Sequence, residues 1–141
     1  MSEPLVLVEH DDHAAILTLN RPAKKNAMNN ALLDQLLAAV QTAAADDDVR
    51  AIIIKGAGKV YSSGRDFSMF SEDAILQDRS VDASVDVFLD VLTLLIETPK
   101  PTIASVRGIA LGGGQATTLA CDFVVAERDA SFGNVEMKYG F

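Results

Sequence analysis

Ala51-Ile52-Ile53-Ile54 is wholly apolar, rich in β-branched residues, and stands between two stretches of helical period. Such a run fits a strand covered on both faces, the condition that parallel sheets require. In the stretch before it, Asn29-Asn30 supplies good helix caps, and Leu32, Leu33, Leu36, Leu37, Val40 and Ala44 recur at helical spacing. In the stretch after it, Val85, Phe88, Leu89, Leu92, Leu95 and Ile96 share one side, and Pro99 and Pro101 end the pattern. Strands are expected at Leu5–Val8, His13–Leu19, Thr102–Val106 and Asp122–Ala126, with a short helix over Gln115–Ala120. Asn20-Arg21-Pro22 breaks the second of these strands, and Asp46-Asp47-Asp48 reads as a solvated corner. Strand and helix alternate throughout, which argues an α/β fold.

At 141 residues the chain has the size of one compact domain, residues 1–141, and no repeat or Pro/Gly/Ser-rich linker divides it. Hydrophobic residues at 49% and charged residues at 23% exclude disorder and coiled coil as descriptions of the whole. The net charge of −8 repels phosphate, which excludes general binding of nucleic acid or anionic lipid but leaves room for a local cationic site. The single cysteine, Cys121, forms no intrachain disulfide and reads as a buried small hydrophobe in a reducing compartment. No secretory pattern opens the chain, and Val85–Ile96, interrupted by Asp86 and Asp90, is too short to span a membrane. A cytoplasmic protein is expected.

Two glycine turns carry the chemistry. Arg107-Gly108-Ile109-Ala110-Leu111-Gly112-Gly113-Gly114 lies between a strand and a helix. Consecutive glycines cost backbone entropy and bring no side chain; they permit close approach of the main chain. The first amides of the following helix have no intrahelical partner, and the helix dipole adds positive potential there. The loop is therefore either a tight turn packed on a neighbouring backbone or an anion or oxyanion site. A dinucleotide fingerprint would need glycine or alanine at Thr117, and Gly56-Ala57-Gly58-Lys59 lacks the spacer and hydroxyl of a P-loop. The second turn, Tyr61-Ser62-Ser63-Gly64-Arg65-Asp66-Phe67, also follows a strand. Two such turns lying side by side would aim two backbone amides at one oxygen.

Four ordered segments then converge: Leu19-Asn20-Arg21-Pro22 with Asn26-Ala27-Met28; Ser63-Gly64-Arg65-Asp66; Gly108 to Gly114; and Cys121-Asp122 with Phe132-Gly133 and Glu136. Together they resemble the crotonase family of enoyl-CoA hydratases and isomerases, from about Leu5 to the last residue. The resemblance implies a spiral of ββα units and a homo-oligomer, a trimer or a dimer of trimers. It implies an acyl-CoA substrate whose thioester carbonyl is held by the Arg65 and Gly113 amides, with Ser63, Gly64, Asp66 and Gly112 shaping that site. Coenzyme A would enter as part of the substrate, with no separate cofactor and no metal. Arg21, Lys24 and Lys25 would face its phosphates; the two lysines read equally well as solvated surface.

Hydratases of the family resemble one another in using two glutamates. Their positions fall here on Ala116, which moves no proton, and on Glu136. A single acid/base suits moving a double bond better than adding water across it. The resemblance therefore implies an isomerase acting through Glu136, walled by Phe132 and Met137. The other readings are a hydratase with a second acid/base from elsewhere, and a non-catalytic acyl-CoA binding or assembly module. On its residues alone Glu136 also reads as a surface partner of Lys138. His10-Asp11-Asp12-His13 reads as a hairpin turn rather than a metal site, and Asp66 and Asp122 as carboxylates that satisfy loop amides. The chain stops at Tyr139-Gly140-Phe141, where the family continues into helices that complete the acyl pocket. A fragment is expected, with an apolar surface exposed toward that end and covered by association.

Overall fold

The computed structural model describes residues 2–70 and 80–139, with side chains at 2–68 and 87–138. Among these residues the chain runs β1 (Val6–Asp11), β2 (Ala14–Leu19), α1 (Asn30–Ala45), β3 (Ala51–Gly56), α2 (Ser80–Glu97) and β4 (Thr102–Val106). It continues through β5 (Ile109–Leu111), α3 (Gly113–Ala120), β6 (Phe123–Ala126) and β7 (Ser131–Gly133). Short 3-10 turns occupy Pro22–Lys24, Phe67–Phe70 and Val135–Tyr139. The main sheet has the order β1-β2-β3-β4-β6, antiparallel only between β1 and β2, which meet in the expected hairpin. A second, two-stranded parallel sheet joins β5 to β7.

The helices cover one face of the main sheet. There Ala15, Leu17, Leu19, Ile52, Ile54, Ala104 and Val106 meet Leu32, Leu33, Leu36 and Val40 of α1, with Val91 and Leu95 of α2 in the same core. The Asn29 side chain caps α1 by accepting from the Leu32 amide at 2.9 Å, a contact worth about 1 kcal/mol. At the other end of α1, the Lys100 ammonium donates to the Ala43 carbonyl at 2.8 Å and to that of Asp46. A cation there complements the helix dipole.

Three expectations need correction. The run at β3 is covered fully on one face only: Ile52 and Ile54 are buried, whereas Ile53 on the opposite face is only partly covered. The stripe on α2 is rotated: Val91 and Leu95 are buried, while Leu89 and Ile96 stand largely in solvent. The helix is apolar round most of its girth beyond Asp86, so periodicity does not single out a face; packing against α1 does. The side chain of Val85 lies outside the described residues. Finally, the glycine turn is not all loop, because Ile109–Leu111 forms β5 and Gly113-Gly114 already belong to α3.

An apolar surface is exposed toward the carboxyl end. Every residue of the edge strand β6 is exposed, Phe123 by 61% and Val125 by 64%, and Leu119 and Met137 nearby by 74% each.

Candidate active site

The glycine turn at Tyr61–Phe67 is bonded to the cationic loop after β2. Ser63 N–H donates to the Lys25 carbonyl (2.9 Å), Met28 N–H to Gly64 (2.7 Å) and Asp66 N–H to Met28 (3.0 Å). The Ser62 hydroxyl donates to the Asn26 carbonyl at 2.8 Å and accepts from the Gly64 amide at 3.0 Å. Asn26 is buried with φ +53°, a region that asparagine tolerates. Its side chain accepts from Arg21 N–H (2.9 Å) and donates to the carbonyls of Ala57 (3.0 Å) and Val60 (2.9 Å). Lys24 and Lys25, both exposed, are held on the rim of this unit.

Arg21 turns inward instead. Its guanidinium donates to the Ala27 carbonyl at 2.7 Å and pairs with Asp66 at 3.0 Å, both side chains less than a fifth exposed. Burial pushes the Asp66 carboxyl up, but its bonds from Arg21 and Ser68 outweigh that and hold it below the usual aspartate range. Asp66 also accepts from the Ser68 amide at 3.1 Å, the loop-satisfying part expected of it. Asp122 does the same for the Thr102 amide at 2.9 Å.

The two glycine turns are in backbone contact. Gly64 has φ +100°, and a β-carbon there would lie 2.7 Å from the Leu111 carbonyl and 3.2 Å from the Gly113 nitrogen. A β-carbon at Gly114 would lie 2.8 Å from the Ser62 carbonyl. Only glycine permits this approach. Ala116 is the first α3 residue bonded back into the turn, to the Gly112 carbonyl at 3.0 Å, and the Gly113 and Gly114 amides find no acceptor among the described residues. The Arg65 side chain runs over Gly113: a β-carbon there would meet Arg65 Cγ and Phe88 Cζ, each at 3.3 Å. The guanidinium lies 5.2 Å from the centre of the Phe88 ring. Burial disfavours its charge without removing it.

Glu136 belongs to the same place. Its carboxylate rests on the Gly112 α-carbon, so close that a β-carbon there would collide with Oε1 and lie 2.8 Å from Cδ. Oε2 is buried with no hydrogen-bond partner among the described residues. Glu136 forms no ion pair with Lys138, and the expected apolar walls are looser than supposed, since Phe132 is 42% exposed and Met137 74%. Ala116 lies on α3 one turn beyond Gly112 and brings no functional group.

Behind the turns, the buried Tyr61 hydroxyl meets Thr117 Oγ1 at 2.9 Å, and Thr117 donates to the Gly114 carbonyl at 2.8 Å. Burial pushes the Tyr61 phenol far above its ordinary value, so it stays protonated. Burial likewise pushes the Cys121 thiol up to about 11, an inert state. A cavity of about 410 Å³ at the carboxyl ends of β3, β4 and β6 includes Lys55, Ser105, Arg107 and Glu127, and none of the candidate site residues.

The fold thus gathers Ser63, Gly64, Arg65, Asp66, Gly112, Gly113 and Glu136 into one constellation, leaves Lys24 and Lys25 on its rim, and commits Arg21 to Asp66. Tyr61, Thr117, Asn26 and Phe88 support it without having been singled out.

Comparison with known proteins identifies relatives of the whole chain. Residues 9–141 match the family model described as enoyl-CoA hydratase/isomerase. The 2,3-dehydroadipyl-CoA hydratase of Escherichia coli is 36% identical over 140 residues, 99% of this chain and 52% of that protein. The mitochondrial Delta(3,5)-Delta(2,4)-dienoyl-CoA isomerase of Rattus norvegicus is 33% identical over 147 residues, 98% of this chain and 45% of that protein. The crystal structure of an enoyl-CoA hydratase/isomerase from Xanthobacter autotrophicus superposes with a TM-score of 0.87 at 37% identity, covering 99% of this chain and 52% of that one. That of an enoyl-CoA hydratase from Bacillus anthracis gives 0.88 at 30% identity, covering 97% and 53%. The chain spans about half the length of the relatives it matches. Matched by that family model over residues 9–141 and by crystal structures of the same fold, the chain belongs to the enoyl-CoA hydratase/isomerase family.

Proposed function

We propose that the chain binds an acyl-CoA thioester, holds its carbonyl oxygen between the Arg65 and Gly113 amides, and moves a double bond with Glu136 as the single acid/base. In this reading Glu136 takes the α-proton of a 3-enoyl thioester, and the electron pair spreads into a dienolate. The same carboxylic acid returns the proton to the γ-carbon, giving the conjugated 2-enoyl isomer. Each amide that follows the growing charge on oxygen is worth about 2.7–4 kcal/mol. Lys24 and Lys25 would meet the coenzyme A phosphates, and coenzyme A comes in with the substrate. The same reading takes the active form as a homo-oligomer, a trimer or hexamer.

The observation that carries this reading is the Glu136 carboxylate lying on Gly112, one residue before the unbonded Gly113 amide. Hydration is the second reading, supported by the E. coli relative's name as a hydratase. It would need an acid/base beyond Glu136, since Ala116 supplies none.

The test is incubation of the protein with a 3-enoyl-CoA and a 2-enoyl-CoA in heavy water. A conjugated alkene of unchanged mass apart from exchange supports isomerisation, and a 3-hydroxyacyl product replaces it with hydration. Glu136→Gln should lower turnover by about 10²–10⁴-fold with thioester affinity kept. Turnover that survives the substitution overturns the role of Glu136. Tight thioester binding with no turnover in the parent replaces the enzyme with a binding module.

A further inference from the structure

We infer that Tyr61 is a positioning residue: through Thr117 it holds the first turn of α3, and so the Gly113 amide, at its place against the turn that carries Gly64 and Arg65. The inference rests on the oxyanion role proposed above. Tyr61 is fully buried, and a phenylalanine would fill the same space without a hydroxyl to satisfy. The hydroxyl is therefore not explained by packing. Thr117 has one hydroxyl proton, and the Gly114 carbonyl at 2.8 Å takes it. Tyr61 must then be the donor at 2.9 Å, and the bonds run one way, from Tyr61 to Thr117 to Gly114.

The main chain of Tyr61 grips the other side of the same turn. Its N–H donates to the carbonyls of Arg107 (2.8 Å) and Ile109 (3.2 Å), and the carbonyl of Ser62 accepts from Leu111 N–H at 3.0 Å. One residue thus fixes both the strand entering Gly112-Gly113 and the helix leaving it. It also begins the segment that reaches Gly64 and Arg65, so the spacing of the two amides passes through it.

Tyr61→Phe and Thr117→Val test this with two readouts. Bound acetoacetyl-CoA reports stabilisation of an enolate oxygen by its near-ultraviolet absorbance, and free coenzyme A reports affinity that does not use the amides. The exchange rate of the Gly113 amide, followed in protein labelled at glycine nitrogen, reports the turn itself. Each variant should lower the bound enolate fraction about 10-fold, a part of the 10²–10³ lost with a whole donor. Affinity for free coenzyme A should hold, and Gly113 exchange should quicken. The double variant should lose no more than either single one, because both act through one chain of bonds. A lower melting temperature with enolate signal and Gly113 exchange unchanged overturns the inference and leaves Tyr61 a core residue. If the parent itself shows no enolate signal, the acyl-CoA reading fails, and Gly113 exchange in Tyr61→Phe still decides the positioning role.

Discussion

The Glu136 carboxylate sits where a side chain at Gly112 would begin, and that contact ties the one candidate base to the start of α3. Gly112 has φ +51° and ψ −119°, a backbone state that alanine reaches only with strain of about 1–3 kcal/mol. Gly112→Ala should therefore destabilise the fold by that amount and, separately, expel the carboxylate from the amides. Turnover should fall by more than the loss of folded protein accounts for. Urea unfolding and initial rates on the same preparation check both parts. Equal losses would mean that Glu136 does not act from this position.

Asn26 joins three stretches of chain by side-chain bonds to Arg21, Ala57 and Val60. Asn26→Ala leaves a buried amide and two carbonyls without partners and places alanine at φ +53°. The expected cost is about 3 kcal/mol, from about 1 kcal/mol for each unmade bond. Asn26→Gly relieves the backbone but not the bonds, so it should recover only a fraction, read as the urea midpoint.

The alternation of strands and helices was legible in the sequence because short apolar, β-branched runs alternate with stretches of helical period. Thr102–Val106 has the bounds expected of it, and Asn29 caps α1 as its residue type suggests. β5 and β7 were not legible, since strands of three residues are too short to carry a period. The face of α2 was misread because, Asp90 and Thr93 apart, residues 87–96 are apolar. In the site, the glycines were legible as places of close approach, but not which backbone they approach, because that contact joins Gly64 to Leu111 across the fold. The resemblance sets Arg21 beside the coenzyme A phosphates with Lys24 and Lys25. The commitment of Arg21 to Asp66 depends on a carboxylate 45 residues away, which local sequence does not reveal.

The Arg21–Asp66 pair predicts an acid-sensitive joint between the two loops. The folded Asp66 carboxyl titrates below the unfolded value of about 3.9. Between those two values the unfolded chain binds more protons, so stability rises with pH there. The contribution of Asp66 is complete above the unfolded value and disappears as pH falls through the folded one. Asp66→Asn should thus be less stable than the parent near neutrality, with the gap narrowing below about pH 4. Urea titrations from pH 7 to pH 3 measure it; a gap constant over that range would rule the pair out as the cause.

The last prediction concerns the sheet face that the helices leave uncovered. Strand register places Ile16 beside Ile53, Ile53 beside Ile103, and Ile103 beside Phe123, an apolar row across four strands. The row grows more exposed toward β6, where Phe123 and Val125 stand mostly in solvent. Among the described residues β6 pairs only with β4, so its outer edge carries unpaired main-chain groups as well. Apolar area removed from water contributes about 25 cal/mol per Å², which favours association of this face. The 141-residue chain should self-associate at micromolar concentration in sedimentation velocity. Phe123→Ser with Val125→Ser should shift it toward monomer, while melting changes little, because surface substitutions usually stay within about 0.5 kcal/mol each. A parent chain that remains monomeric and binds no hydrophobic dye would show that this face is not sticky in solution.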